Sequence, residues 1–188
     1  MLRRRELRTR EKGGAGIGLT KRGKGTKWMV LVDGRGTPLG AYLDSANPSE
    51  ISLLEATLRS VKVRRTHRAG RPRCYPDRLI ADRGYDSNAV REWLAALGID
   101  PIIPKRSNNT KATHQDGRKL RRYRRRWIVE RTNAWLGNFR GLLVRHARLL
   151  ETYRGFFYIA CALITLRVVL KMTSTVSPYL SYLSPSYN

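Results

Sequence analysis

Apolar and polar positions along the chain change period several times, and each change marks an element. "TKWMVLVDGRGTPLGAYLDSA" holds two apolar runs, Trp28 to Val32 and Pro38 to Leu43, on either side of an Asp-Gly pair. Asp-Gly between such runs is the strongest short-range hairpin signal, because glycine adopts tight-turn backbone without steric cost. Two antiparallel strands are therefore expected. In "ANPSEISLLEATLRSV" the residues Ile51, Leu54, Leu58 and Val61 recur at helical spacing on one face. Asn47 can cap that helix, Pro48 suits its first position and Glu50 can close a capping box.

"RLIAD" reads as a short buried strand that ends in Asp82, and Ser87 caps a helix whose Val90, Trp93, Leu94 and Leu97 face inward. Gly98 suits the left-handed stop of that helix, and "DPIIPK" is a further short strand. A polar loop then leads into a long helical stretch around Glu130 and a final apolar helix that runs to about Leu170. The order strand, strand, helix, strand, helix, strand, helix, helix implies an α/β fold, a mixed sheet covered by helices, with no internal repeat. Residues 1–25, rich in Arg, Lys and Gly, are expected to form a basic flexible arm, 26–171 the folded domain, and 172–188, rich in Ser, Pro and Tyr, a disordered tail.

Composition narrows the partner. At 188 residues, 41% apolar and 28% charged, the chain suits one globular domain. Its 38 Lys and Arg against 14 Asp and Glu leave a net charge of +24, a field that favours a polyanion, and nucleic acid is the expected partner. Cys74 and Cys161 have neither the paired spacing of a zinc site nor the density of a secreted disulfide scaffold, which points to reduced cysteines in the cytoplasm. The start, "MLRRRELRTREKGG", lacks the apolar core of a secretory signal. "FFYIACALITL" is closed by Arg167 well short of the roughly 20 residues a span needs, so no membrane partner is expected. His67, His114 and His146 lack the spacing of a metal site. "KRGKGTK" lacks Walker spacing and reads instead as a phosphate contact through Lys24 and Lys27.

Two acids stand out. Asp82 ends a buried strand, where ligands gather in open α/β sheets, although such a position serves equally as a helix cap. Glu130 lies in "RRYRRRWIVERTNAWL", on a stripe with Tyr123, Arg126 and Gly137, while Ile128, Thr132 and Trp135 occupy the other side. A surface pair between Arg126 and Glu130 is one reading, worth a few tenths of a kcal/mol. The other is a hard-cation ligand that works with Asp82 on a phosphodiester: two Mg²⁺ ions roughly 3.5 to 4 Å apart activate the attacking oxygen and stabilise the leaving one. The surrounding Arg118, Lys119, Arg121, Arg122, Arg124 and Arg125 would bind phosphates. Trp127 could stack on an unpaired base, whereas Trp135 is expected to pack in the core.

"LIADRGYDS", followed by "YRRRWIVERTNAWLGNFRGLLVRHARLLETYRGFFYIACALITLR", resembles the transposases of bacterial insertion sequences, specifically the IS-five family of DDE enzymes. The likeness extends from about Lys12 to Arg167. It implies a ribonuclease-H-like fold, metal-dependent DNA cleavage and strand transfer, and Mg²⁺, with Mn²⁺ as substitute. It also implies that Asp82 is the second catalytic acid and Glu130 the third. The family's signature runs Tyr, two residues, Arg, three residues, Glu, six residues, then Lys or Arg. Tyr123, Arg126 and Glu130 match it, but the last position is Gly137, and Arg140, one turn on, is the candidate substitute. Tyr123 and Arg126 are thus expected to position DNA, with Arg122, Arg125, Lys119 and Arg140 among the further contacts.

In that family the first acid lies on the strand before the hairpin, and nothing before Trp28 reads as that strand. Asp33 is better explained by its turn, and Asp44, at the end of the second hairpin strand, is weaker still. The expectation is therefore a C-terminal portion of a transposase, lacking its first strand, from a truncated gene or a downstream reading frame. Its partners would be element ends and target DNA, as a dimer on DNA or with the upstream-frame product, in the bacterial cytoplasm at the nucleoid. The alternatives are a catalytically inactive DNA-binding fragment that regulates transposition, and a basic nucleic-acid-binding protein with no transposition role.

Overall fold

The computed structural model describes residues 2–6, 15–20, 23–63, 74–107, 109 and 117–174. Its centre is the strand that carries "WMVLV". The hairpin forms as expected, from β3 (Gly23–Val32) and β4 (Pro38–Ser45), which pair antiparallel with Met29 opposite Tyr42. Side chains along a strand alternate between its faces, so a strand apolar at every position must be covered on both. Trp28, Val30 and Val32 enter one core with Leu43, Ile128, Val129, Leu136 and Phe157, while Met29 and Leu31 enter another with Leu54, Leu58, Leu79, Tyr85 and Leu94.

The first core is closed by α4 (Trp127–Gly137), α5 (Arg140–Leu143) and α6 (Leu150–Ser174). The second is closed by α1 (Glu50–Arg59) and α2 (Asn88–Ala96). Helix α1 starts later than its sequence suggests: Ser49, not Asn47, is the cap, accepting from the Ser52 N–H at 3.3 Å. That start turns Leu53 inward beside Leu54 and Leu58 and leaves Ile51 exposed. For α2 the sequence signals hold, with Ser87 accepting from the Val90 N–H at 3.2 Å and Gly98 at φ 72° after its end.

Three expectations are corrected. The sheet is not one mixed sheet but two small ones. Strands β1 (Leu2–Glu6) and β2 (Gly18–Thr20) pair antiparallel with β3, whereas β5 (Arg78–Ile80) and β6 (Asp100–Ile102) form a separate parallel pair. The reason is edge occupancy: β3 gives one edge to β4 and the other to β1, so β5 finds no ladder on it. The basic stretch 1–25 is correspondingly not all arm, since it supplies β1, β2 and the start of β3. Nor is the segment around Glu130 one long helix. It is α3 (Gly117–Arg121), a 3₁₀ turn over Arg122–Arg126, and then α4. The expected tail falls almost wholly outside the described residues, and α6 runs to Ser174.

By length and composition α6 could cross a membrane over Leu150–Lys171, a longer stretch than "FFYIACALITL". Its Tyr153, Phe157, Ala160 and Ile164 are nevertheless core residues of this domain. Burial pushes the thiol of Cys161, on the same helix, up to about 12, so that it stays protonated and inert.

Two polar devices lock the frame. At the hairpin turn Asp33 accepts the N–H groups of Arg35 and Thr37 at 2.8 and 2.9 Å, and Gly36 follows at φ 94°. Helix α4 docks on that turn: the Thr132 hydroxyl donates to the Gly36 carbonyl at 2.8 Å, and Arg131 to that of Arg35 at 2.6 Å. A Cβ at Gly36 would lie 2.9 Å from Thr132 Oγ1. Elsewhere Arg145 is buried, and among the described residues no carboxylate pairs with it. Its guanidinium donates to the Thr26 hydroxyl and to the carbonyls of Ala15, Gly16, Ala147 and Arg148, and stacks on Tyr153.

Gly36→Ala combines the left-handed backbone penalty of about 1–2 kcal/mol with a clash at Thr132. Urea denaturation should show it destabilised by about 2 kcal/mol or more, with Gly98→Ala, open on all sides, losing only the backbone part.

Candidate active site

Each residue of "ADRGYDS" has its own task. Ala81 and Tyr85 are fully buried in the second core. Asp86 is buried and accepts from the Arg106 N–H at 2.6 Å, from Arg91 at 2.9 Å and from Asn109 at 3.3 Å. Burial alone would raise its carboxyl, but these donors outweigh it and leave the carboxyl below the ordinary 3.8. It thus ties α2 to the loop after β6. Ser87 caps α2, which leaves Asp82 as the acid that faces outward.

Asp82 caps the 3₁₀ turn Arg83–Tyr85, accepting the Arg83 N–H at 2.7 Å. The alternatives of cap and site residue are therefore not exclusive, because the same oxygen also accepts from Arg126 Nη1 at 3.0 Å and the Tyr123 hydroxyl at 3.4 Å. Arg126 turns its other nitrogen, Nη2, to Glu130 Oε1 at 2.7 Å, and its Nη1 also donates to the Tyr123 oxygen at 2.7 Å. One guanidinium is therefore clasped by two carboxylates from distant parts of the chain. The Asp82 and Glu130 side chains stay 47% and 38% exposed, which leaves both open to a ligand from solvent. Burial works against the charge on Arg126, but the Tyr123 hydroxyl, Glu130 and Asp82 outweigh it and hold its pKa above the usual arginine value.

The break of helix at Arg122–Arg126 makes this possible. A 3₁₀ turn has three residues per turn, so Tyr123 and Arg126 stand directly above one another, and Glu130 follows one turn into α4. Pro104 and Leu120 complete the shallow surface pocket around Asp82, Tyr123 and Arg126. On the far side of the turn, Arg122 and Arg125 border a second cavity of about 560 Å³ that also touches Asp33, Asp77 and Ile80. Arg125 reaches the Gly34 carbonyl at 3.4 Å.

The remaining candidates divide. Lys24 is exposed on β3, within the stretch expected to form a flexible arm. Lys27 is corrected: it is 2% exposed and its ammonium donates to the Pro48 carbonyl, so a phosphate cannot reach it. Arg140 is exposed, but α4 ends at Gly137 and Arg140 opens α5, so it is not one turn further along the Glu130 helix. The Lys119 side chain, His67 and His114 lie outside the described residues. Trp127 is exposed beside Arg131, whose guanidinium lies between its ring and that of Trp135 at 4.7 and 4.8 Å, while Trp135 packs against the first core. Asp33 serves its turn, and Asp44 accepts the neighbouring Ser45 N–H at 2.6 Å. Among the described residues no cluster of three or more His, Cys, Asp or Glu could hold a metal ion. Sequence reading missed Asp86 and Arg145; the only signal for Asp86 was its place in "ADRGYDS".

The structure defines an α/β domain with two carboxylates converging on one arginine, on a strongly basic chain, and comparison with known proteins gives its family. Residues 5–165 match the family model described as transposase DDE domain, so the chain belongs to the DDE transposase domain family. It is similar to the "Putative transposase for insertion sequence element IS402" of Burkholderia cepacia, at 38% identity over 140 residues. That match takes in 74% of this chain and 62% of the relative, so the chain spans less than two thirds of the length of the protein it resembles. No solved structure matches it. The family in general cuts and transfers DNA with divalent metal ions.

Asp86 has a depressed pKa in the folded state, so its contribution is present above the unfolded value near 3.8 and lost as pH falls through the lower folded value. Thermal midpoints measured from pH 6 to pH 2.5 should fall for the wild type, and Asp86→Asn should be less stable at pH 6 with a shallower fall below pH 4.

Proposed function

We propose that this chain is an insertion-sequence transposase domain of the IS-five type, in which Asp82 and Glu130 hold a divalent metal ion against a DNA phosphodiester. The observation that carries this reading is the convergence of both acids on the single cation Arg126. Carboxylate oxygens are the hard donors that suit Mg²⁺ and Mn²⁺, and Mg²⁺ is commonly held by one or two carboxylates with the rest of its shell water and phosphate oxygen. A divalent ion bound there supplies Lewis-acid polarisation of the phosphodiester and activation of the attacking water, and later of the 3′-hydroxyl.

The protein's own part is positioning. Asp82 is fixed by its bond to the Arg83 N–H, and Glu130 by its place in the first turn of α4. Tyr123 and Arg126 present a hydroxyl and a guanidinium at the same point, and a guanidinium suits phosphate oxygens through paired N–H bonds. Arg122 and Arg125 are exposed on the same 3₁₀ turn as Tyr123 and Arg126 and add positive charge beside the site for a DNA backbone, and the exposed Lys24 and Arg140 are further candidates for phosphate contact, in a bacterial cytoplasm at the nucleoid.

A second reading is favoured by one observation: among the described residues no third carboxylate joins Asp82 and Glu130. On that reading the chain binds element ends and regulates transposition without cutting.

The two readings separate on supercoiled DNA that carries the element ends. Catalysis predicts nicking with Mg²⁺ or Mn²⁺ that Glu130→Gln and Asp82→Asn each reduce by more than the roughly 100-fold typical of outer hydrogen-bond partners of a metal site. End binding with no metal-dependent nicking would favour the regulator, and nicking that survives both substitutions would remove the two acids from the chemistry.

A further inference from the structure

Arg126 stands where a cation shared by the two acids would stand. Its Nη1 donates to Asp82 Oδ1 at 3.0 Å and its Nη2 to Glu130 Oε1 at 2.7 Å, so one positive charge already bridges both carboxylates. A divalent ion on either oxygen of these carboxylates would lie beside that charge, and like charges so close repel strongly where water is partly excluded. Arginine stays protonated at any working pH, so it leaves the acids by moving and not by losing a proton. Room for the movement exists. The side chain is 24% exposed and forms one wall of the shallow surface pocket that Asp82, Pro104, Leu120 and Tyr123 also line. Tyr123 adds a further hold, its oxygen accepting from Nη1 at 2.7 Å.

We propose that Arg126 is a latch: its guanidinium holds Asp82 and Glu130 until a DNA phosphate draws it away, and its release opens both acids to a divalent ion. This rests on the reading of Asp82 and Glu130 as metal ligands and adds an order to it, DNA before metal. Phosphate is the partner that can compete, because it offers the same guanidinium the anionic oxygens that the two carboxylates otherwise supply. Arg122 and Arg125, exposed on the same 3₁₀ turn, bring a phosphate backbone near. Charge stays balanced in the exchange: the guanidinium passes from carboxylates to phosphate, and the carboxylates pass from a monovalent to a divalent cation. Linkage makes the effect mutual, so that bound DNA strengthens metal binding by the same factor by which bound metal strengthens DNA binding. A purely structural ion pair would act in the opposite sense, since it would hold the acids in place for the metal and its loss would weaken metal binding.

The test is Mn²⁺ binding to the full 188-residue chain, freed of nucleic acid by nuclease and high salt, read from the electron paramagnetic resonance signal of the free ion. Arg126→Gln should bind Mn²⁺ about 30-fold more tightly than the wild type. Tyr123→Phe, which keeps the arginine and both acids, should bind it about 5-fold more tightly. Adding Asp82→Asn or Glu130→Gln should abolish either gain. Each variant is checked by circular dichroism, and Tyr123→Phe decides alone should Arg126→Gln fail to fold. For the wild type, fluorescence anisotropy should show a labelled DNA duplex bound more tightly when Mg²⁺ replaces Na⁺ at constant ionic strength, and absence of that gain overturns the proposal. Mn²⁺ binding that needs both acids but is unchanged or weaker in the latch variants overturns the latch and leaves the metal site standing. Mn²⁺ binding indifferent to both acids in every variant overturns the metal reading, and the latch falls with it.

Discussion

Everything in this fold follows from the burial of β3 on both faces. Five successive apolar residues, Trp28 to Val32, cannot all point to one side of a strand, so each face must find its own cover. Helices α1 and α2 supply one and α4, α5 and α6 the other. Each large apolar side chain removed from water contributes roughly 1.5–3 kcal/mol, so the strand that serves both cores outweighs any single polar contact. The position of α4, and with it Glu130, is a consequence: Ile128, Val129 and Leu136 seat the helix on Trp28, Val30 and Val32, and Thr132 and Arg131 set its register against the hairpin turn.

The site is built on that frame from elements belonging to the two cores. Asp82 leaves β5, whose Leu79 lies in the second core, and Glu130 leaves a helix that belongs to the first. The 3₁₀ turn between α3 and α4 joins the two acids through Arg126. A guanidinium presents its N–H donors in a rigid planar fork, so Nη1 and Nη2 engage the two carboxylates in fixed directions, whereas a lysine would meet them as a point charge on a flexible stem. Asp82 and Glu130 are thereby held close together without the repulsion that two bare carboxylates would suffer.

Positive charge has more than one use here, and composition does not distinguish them. Arg91, Arg131 and Arg145 are spent inside the structure, on a buried carboxylate, on tryptophan faces and on backbone carbonyls. Lys27 likewise satisfies a carbonyl. Arg122, Arg125 and Arg140 remain exposed. The net charge of +24 thus describes a field that favours a polyanion, while the identity of the residues that could touch one is a matter of burial.

What the chain's own pattern determined is whatever depends on neighbours in sequence. The hairpin at Asp33, the caps at Ser87 and Gly98, the inward Val90 and Leu94 of α2, the Leu54 and Leu58 part of the α1 stripe, and the spacing of Tyr123, Arg126 and Glu130 all rest on local backbone preference or a fixed period, and these were legible. Family membership was legible for the same reason, through "ADRGYDS" and the segment around Glu130. Tertiary structure alone decided the pairings between distant segments. These include the docking of β1 on the open edge of β3, the separation of β5 and β6 into their own sheet, the interruption of the Glu130 helix, the burial of Lys27 and the meeting of Asp82 with Arg126. None of these leaves a periodic trace, because an edge, a cavity or a countercharge is supplied by a residue far away in the chain, and only the packed fold brings the two together.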